Sequence, residues 1–272
     1  MRALAVLALS LLAACGAQPD GPPGPNPDTA DAAPSPVLAI DEITGRWRVV
    51  SIDGDAPVKR GGGSGEPYLS ITQNSVGGSI GCNNFGALTL FADGRFAAHG
   101  WGGEARYCNG IAEREQALSE LFFSRPQVER TGNGLRIRSK EHEVILADRG
   151  PPERESFDLP AQTLANTRWT ISFLDRSEAS SSPDDRVLTF TKDSWRGLAS
   201  CATLFGTYRR EDNRLIVGKD IATTEQNCPP EYAARDDAFA DLMRSDPRYL
   251  IGPNGELILA GGGHYLTGGE AG

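Results

Sequence analysis

Gly81-Cys82-Asn83-Asn84-Phe85-Gly86 and Ser200-Cys201-Ala202-Thr203-Leu204-Phe205-Gly206 are two versions of one segment. Working outward from each, the same landmarks follow in the same order. Upstream stands a tryptophan, Trp47 or Trp169. Downstream come a second cysteine (Cys108, Cys228), an amphipathic stretch (112–123, 232–243) and an Asn-Gly turn (Asn133-Gly134, Asn254-Gly255). The cysteine spacing is 26 positions in the first half and 27 in the second, the extra residue falling between Cys201 and Phe205. Order and spacing kept over so long a stretch mean an internal duplication, two copies of one small fold.

Within each copy the pattern predicts strands and one helix. Residues 46–52 and 168–174 alternate around their tryptophans, as half-buried opening strands do. Residues 68–72 and 187–191 read as second strands, and 79–82 and 197–201 as strands running into the first cysteines. Asp93-Gly94 between apolar runs marks a hairpin over 88–96; its counterpart spans 206–217 and turns at 211–213. Ala117, Leu118, Leu121 and Phe122 share a helix face, with Glu113, Glu115 and Glu120 elsewhere; Ala238, Phe239, Leu242 and Met243 repeat that face. Pro126 and Pro247 stand beyond the two helix ends, and a hairpin closes each copy. The predicted fold class is mainly β (α+β): two tandem antiparallel β-meander or partial-barrel domains, at 43–149 and 162–269, joined by a linker at 150–161.

The chain begins with Met1-Arg2 and an apolar run from Ala3 to Ala14. That run is too short to span a bilayer and has the length of a signal-peptide core. It ends in Leu12-Ala13-Ala14-Cys15, which is similar to the bacterial lipobox. The resemblance implies cleavage before Cys15 and lipidation of Cys15. Each buried CH₂ of an acyl chain contributes about 0.8 kcal/mol to membrane binding. Gly16 and Ala17 follow rather than Asp, which in a Gram-negative host favours the periplasmic face of the outer membrane. Residues 16–42 are rich in Pro, Gly and Ala and read as an extended tether.

Such an address is oxidising, so the other four cysteines are expected to pair. Four cysteines allow three connectivities. The repeat favours Cys82–Cys108 and Cys201–Cys228. A metal site is the competing reading, weakened because His99, His142 and His264 show no ligand spacing to a cysteine pair.

The formal net charge is −9, or −10 once residues 1–14 and their Arg2 are removed. A chain this acidic, without clustered cations, is a poor fit to nucleic acid or to anionic lipid headgroups. Lys59-Arg60-Gly61-Gly62-Gly63-Ser64-Gly65 lacks the ending of a phosphate loop and reads as a loop between strands, as does 180–185 at the matching place. Asp184-Asp185 and Asp236-Asp237 read as solvated surface, because adjacent residues point different ways. No nucleophile elbow is present.

Taken together, the early Trp, the Gly81-Cys82-Asn83 motif, the second cysteine before a helix and the closing hairpin resemble the META (HslJ-like) domain family. The resemblance covers both copies. The second copy departs from it, with Ser200-Cys201-Ala202 in place of Gly-Cys-Asn. It implies small antiparallel β domains packed on one helix, envelope lipoproteins often tied to stress, and neither a reaction nor a cofactor.

The sequence therefore points to a monomeric, non-enzymatic, membrane-tethered envelope lipoprotein, a binding module for envelope stress or maintenance. Alternatives are an inhibitor of an envelope-attacking lysozyme or protease, or a carrier of a small apolar ligand. Neither a metal nor a cofactor is expected. Trp101, set between glycines in an apparent exposed loop, is the candidate anchor for an envelope protein partner, with Asn83 and Asn84 beside it.

Overall fold

The computed structural model describes residues 38–57, 65–152, 156–175, 177–178, 186–224 and 227–271. Cys15 with its signal and tether to residue 37, most of the 59–65 loop and the 180–185 loop lie outside the described residues. None of the described helices is long and apolar enough to cross a membrane.

The first copy begins earlier than the sequence implied. Helix α1 (Ile40–Ile43) occupies the end of the expected tether. Glu42 accepts a hydrogen bond from the Ala39 amide at 2.6 Å, and Leu38, Ile40 and the buried Ile43 pack on the first core. Eight strands follow: β1 (Gly45–Ile52), β2 (Tyr68–Ile71), β3 (Ser75–Ser79), β4 (Asn84–Ala92), β5 (Arg95–Gly103), β6 (Gln127–Thr131), β7 (Gly134–Arg138) and β8 (Glu143–Gly150). Each pairs antiparallel with the next, and β1 pairs with β8, so the meander closes into a barrel. Helix α2 (Ala112–Phe123) lies between β5 and β6.

The second copy repeats this plan. It comprises β9 (Thr167–Leu174), β10 (Ser177–Glu178), β11 (Val187–Phe190), β12 (Ser194–Leu198), β13 (Thr203–Glu211), β14 (Arg214–Val217), β15 (Ala222–Thr223), helix α3 (Pro230–Arg244), β16 (Arg248–Ile251), β17 (Glu256–Gly261) and β18 (His264–Glu270). Pairing of β9 with β18 closes the ring, while β10 and β15 are short additions.

Closure puts alternate residues inside. Trp47, Leu69, Ile71 and Phe96 fill the first barrel against Leu118, Leu121 and Phe122 of α2. Trp169, Leu188, Phe190 and Trp195 fill the second against Phe239, Leu242 and Met243 of α3. Both repeat tryptophans are core anchors with their indole N–H satisfied: Trp47 donates to the Ile43 carbonyl and Trp169 to Thr167 Oγ1, both at 2.8 Å.

A third apolar cluster joins the two barrels. Leu88, Leu90, Ala92 and Ala97 on β4–β5 pack with Leu250, Ile258, Ala260 and Tyr265 on β16–β18. Tyr265 donates its hydroxyl to the Phe123 carbonyl at 2.9 Å across this seam. The segment between the copies is tied down as well. Asn74 and Phe157 exchange two hydrogen bonds, 2.8 and 2.9 Å, and Leu159 packs on the seam. The described residues of both barrels thus belong to one compact unit.

Candidate functional site

The chemistry-bearing residues collect around the two cysteine turns. In the first copy Cys82 and Cys108 form a disulfide, with Cα atoms 6.1 Å apart. Strand β3 stops at Ser79, short of the expected Cys82, because 80–83 turn to meet the helix. Glu115 holds that turn. Its Oε1 accepts from the Asn83 amide at 2.8 Å and its Oε2 from Asn83 Nδ2 at 2.7 Å. Asn83 is itself buried, and also ties the second cysteine's loop: Nδ2 donates to the Arg106 carbonyl at 3.0 Å, while Oδ1 accepts from the Arg106 amide at 2.9 Å.

Asn84 is exposed and donates its amide to Glu104 Oε2 at 3.1 Å, the same oxygen that takes Arg106 Nη2 at 2.6 Å. The hydrogen bond from the Asn84 amide, then that from Arg106, hold the Glu104 carboxyl below its usual range.

Trp101 is not on an exposed loop. The glycines around it let β5 continue: Gly100 sits at φ +69, and a Cβ on Gly103 would lie 2.6 Å from the Asn84 carbonyl oxygen. Trp101 is half-buried, stacked on Phe85 at 4.8 Å and facing Phe122 at 5.8 Å. The structure therefore brings Trp101, Asn83 and Asn84 to one end of the first barrel, with Trp101 and Asn83 engaged in packing. What that end displays is Tyr107, between Arg106 and Cys108, 86% exposed.

In the second copy Cys201 and Cys228 form a disulfide with Cα atoms 5.9 Å apart. The carboxylate that matches Glu115 is Asp236, which is buried, whereas its neighbour Asp237 is exposed; the expected solvated pair is thus only half correct. Asp236 Oδ2 accepts from the Ala202 amide at 2.8 Å and from Cys201 N at 3.2 Å. Burial raises the Asp236 pKa against the opposing pull of the Ala202, Cys201 and Ser200 amides. Ala202 has no side-chain amide to cover the carboxyl group. One carboxylate oxygen and both sulfurs lie within 4.8 Å of one another. With the sulfurs bonded to each other, this cluster has no thiolate pair to offer a metal.

A second repeated feature was not read from the sequence. Asp53 and Asp175 follow the first strands in left-handed conformations, φ 51 and 50. Each accepts from a histidine Nδ1, His142 (2.9 Å) or His264, and from the next residue's amide, Glu143 (2.8 Å) or Tyr265 (2.9 Å). His142 also bonds Glu120 through Nε2 at 3.0 Å. The hydrogen bond to Asp53 comes first among the causes that raise the His142 pKa, outweighing partial burial. The signal was available: Asp53 and Asp175, like His142 and His264, stand 122 positions apart.

The family model of the META domain matches twice, at residues 41–150 and 162–271. The chain belongs to the META domain family. Its two META domains are the two barrels, each carrying one disulfide. Among solved structures, a protein determined by NMR is 19% identical over 40% of this chain and 94% of its own, with a TM-score of 0.36. An NMR structure of a protein from Burkholderia xenovorans is 20% identical over 46% of this chain and 97% of its own, with a TM-score of 0.35. No curated protein matches the chain.

Proposed function

We propose that this tandem META protein is a non-enzymatic binding module, held by lipid on Cys15 at the periplasmic face of the outer membrane, which engages an envelope protein through the disulfide end of its first domain. The observation that carries the reading is the setting of Tyr107. Tyr107 is 86% exposed, yet the residue before it is pinned by Asn83 and the residue after it by the disulfide. A large aromatic presented on a rigid loop loses little conformational entropy on binding and makes an effective anchor. The second domain has Asn227 at the matching place.

The other chemistry-bearing side chains of the first domain support the same reading through their structural use. Cys82 and Cys108 are bonded, Glu115 caps the turn, and His142 clamps the first strand to the last hairpin.

Cross-linking and affinity capture of the lipidated protein from its native envelope tests this, with a secreted Cys15→Ala form as control. One specific protein partner, kept by both forms and lost with Tyr107→Ala, is expected. Retention of that partner by Tyr107→Ala would move the interface elsewhere. Capture by the lipidated form alone would leave membrane anchoring without a stable partner.

A further inference from the structure

We propose that Cys201–Cys228 is a thiol-exchange site, opened by a dithiol with Asp236 as proton donor to the departing thiolate, whereas Cys82–Cys108 is a purely structural staple. The site reacts stoichiometrically and does not depend on the binding reading above.

The two disulfides occupy equivalent places but meet different surroundings. In the first domain a side-chain amide shares the helix carboxylate: one Glu115 oxygen takes the Asn83 backbone amide and the other takes Asn83 Nδ2. The Asn83 side chain then fills the gap to the second cysteine's loop. Cys82 is buried, and its sulfur faces the Arg106 carbonyl at 3.6 Å, an acceptor with no proton to give. A thiolate expelled there gains no acid.

In the second domain Asn is replaced by Ala202 and Glu by the shorter Asp236. The Asp236 carboxyl group accepts the Cys201 amide through both oxygens and the Ala202 amide through Oδ2, and one of its oxygens lies within 4.8 Å of both sulfurs. Cys228, like Cys108, is half-buried and within reach of a small thiol, and Cys201 is half-buried where Cys82 is buried. The groups facing Asp236 are the Ser200, Cys201 and Ala202 amides from the turn, the two sulfurs, and Asp237 from its own helix. Burial, and after it Asp237, favour the protonated acid and outweigh the Ala202, Cys201 and Ser200 amides, which favour the carboxylate.

A thiolate of the dithiol attacks Cys228 Sγ, the Sγ–Sγ bond breaks, and the electron pair departs on Cys201 Sγ. Asp236 transfers its proton to that thiolate and becomes a carboxylate, which solvent reprotonates. The second thiolate of the reagent then attacks the reagent's own sulfur in the mixed disulfide and expels Cys228 as a thiolate, which takes a proton from solvent. The dithiol is oxidised to its cyclic disulfide, and Cys201 and Cys228 are reduced.

Dithiothreitol is the probe, used on the full secreted Cys15→Ala chain. Quenching by alkylation and peptide mass mapping then follows each bond separately from pH 4, near the ordinary aspartate value, up to pH 8, the rates being divided by the thiolate concentration. Cys201–Cys228 should open at least about tenfold faster per thiolate than Cys82–Cys108 at the acid end, a modest share of what positioned acids contribute. The advantage should fade as pH rises and Asp236 ionises.

Asp236→Asn should flatten this profile. Ala202→Asn, which gives the second site the amide of the first, should slow opening even if Asp236→Asn folds poorly. Equal per-thiolate rates for the two bonds, or an unchanged profile in both variants, would overturn the proposal.

Discussion

Glu115 and Asp236 hold the same station in the two repeats: each sends a helix carboxylate onto the amide that follows the first cysteine, Asn83 N or Ala202 N, at 2.8 Å in both. The bond couples helix, turn and disulfide into one element. Glu115→Ala removes the acceptor for the Asn83 amide, and a buried donor without its partner costs about 1–3 kcal/mol. Urea unfolding should show that loss. Glu115→Gln, which keeps one acceptor oxygen, should lose less.

Asp236 gives the second domain a pH signature. Its folded pKa lies above the usual aspartate value because burial opposes the charge. A raised folded pKa stabilises below the unfolded pKa, about 3.9, and that contribution is lost as pH rises through the folded value. Asp236→Asn cannot titrate. The stability of wild type relative to Asp236→Asn should therefore increase on acidification toward pH 4, measured by denaturant unfolding at successive pH values. A constant difference would mean that ionisation at this site is not linked to folding.

His142 gives the first domain a signature at higher pH. Bonded to Asp53 and Glu120, it is favoured as the imidazolium, so its folded pKa is raised. Its contribution is full below the unfolded value of about 6.5 and disappears as pH rises through the folded value. Wild type should exceed His142→Asn by about 0.5–1 kcal/mol at pH 5.5, solvent screening keeping the figure small. By pH 9 only the neutral hydrogen bonds should remain.

Much of this fold was legible, for physical reasons. Helix α2 occurs where its apolar face predicted, and α3 extends two residues earlier because Pro230 fits a first helical turn. The disulfide pairing followed from the repeat. Trp101 was misread because a run of glycines looks like loop, although here it allows close strand pairing. The Asp–His clamps join residues 89 positions apart and carry no local pattern, so only a full alignment of the repeats reveals them. Burial of Asp236 depends on tertiary position, which an Asp-Asp dipeptide cannot express. The seam did leave a trace. Leu257 and Leu259 enter the second core while Ile258 and Ala260 enter the seam, so this strand is apolar on both faces.

That seam sets the last prediction. Ile258 is fully buried between the barrels, and cutting a buried Ile to Ala costs about 2–5 kcal/mol. Its side chain lies in the cluster shared by both domains, so the loss should fall on their coupling rather than on either core. Wild type should melt in a single calorimetric transition. Ile258→Asp buries a charge against Leu88 and Leu90, forces the barrels apart and should resolve two transitions, with both disulfides intact. Two transitions already present in wild type would show that the seam is too weak to couple the domains. A single lowered transition in Ile258→Asp would show that the hydrogen bonds between Asn74 and Phe157 and from Tyr265 to Phe123 suffice without it.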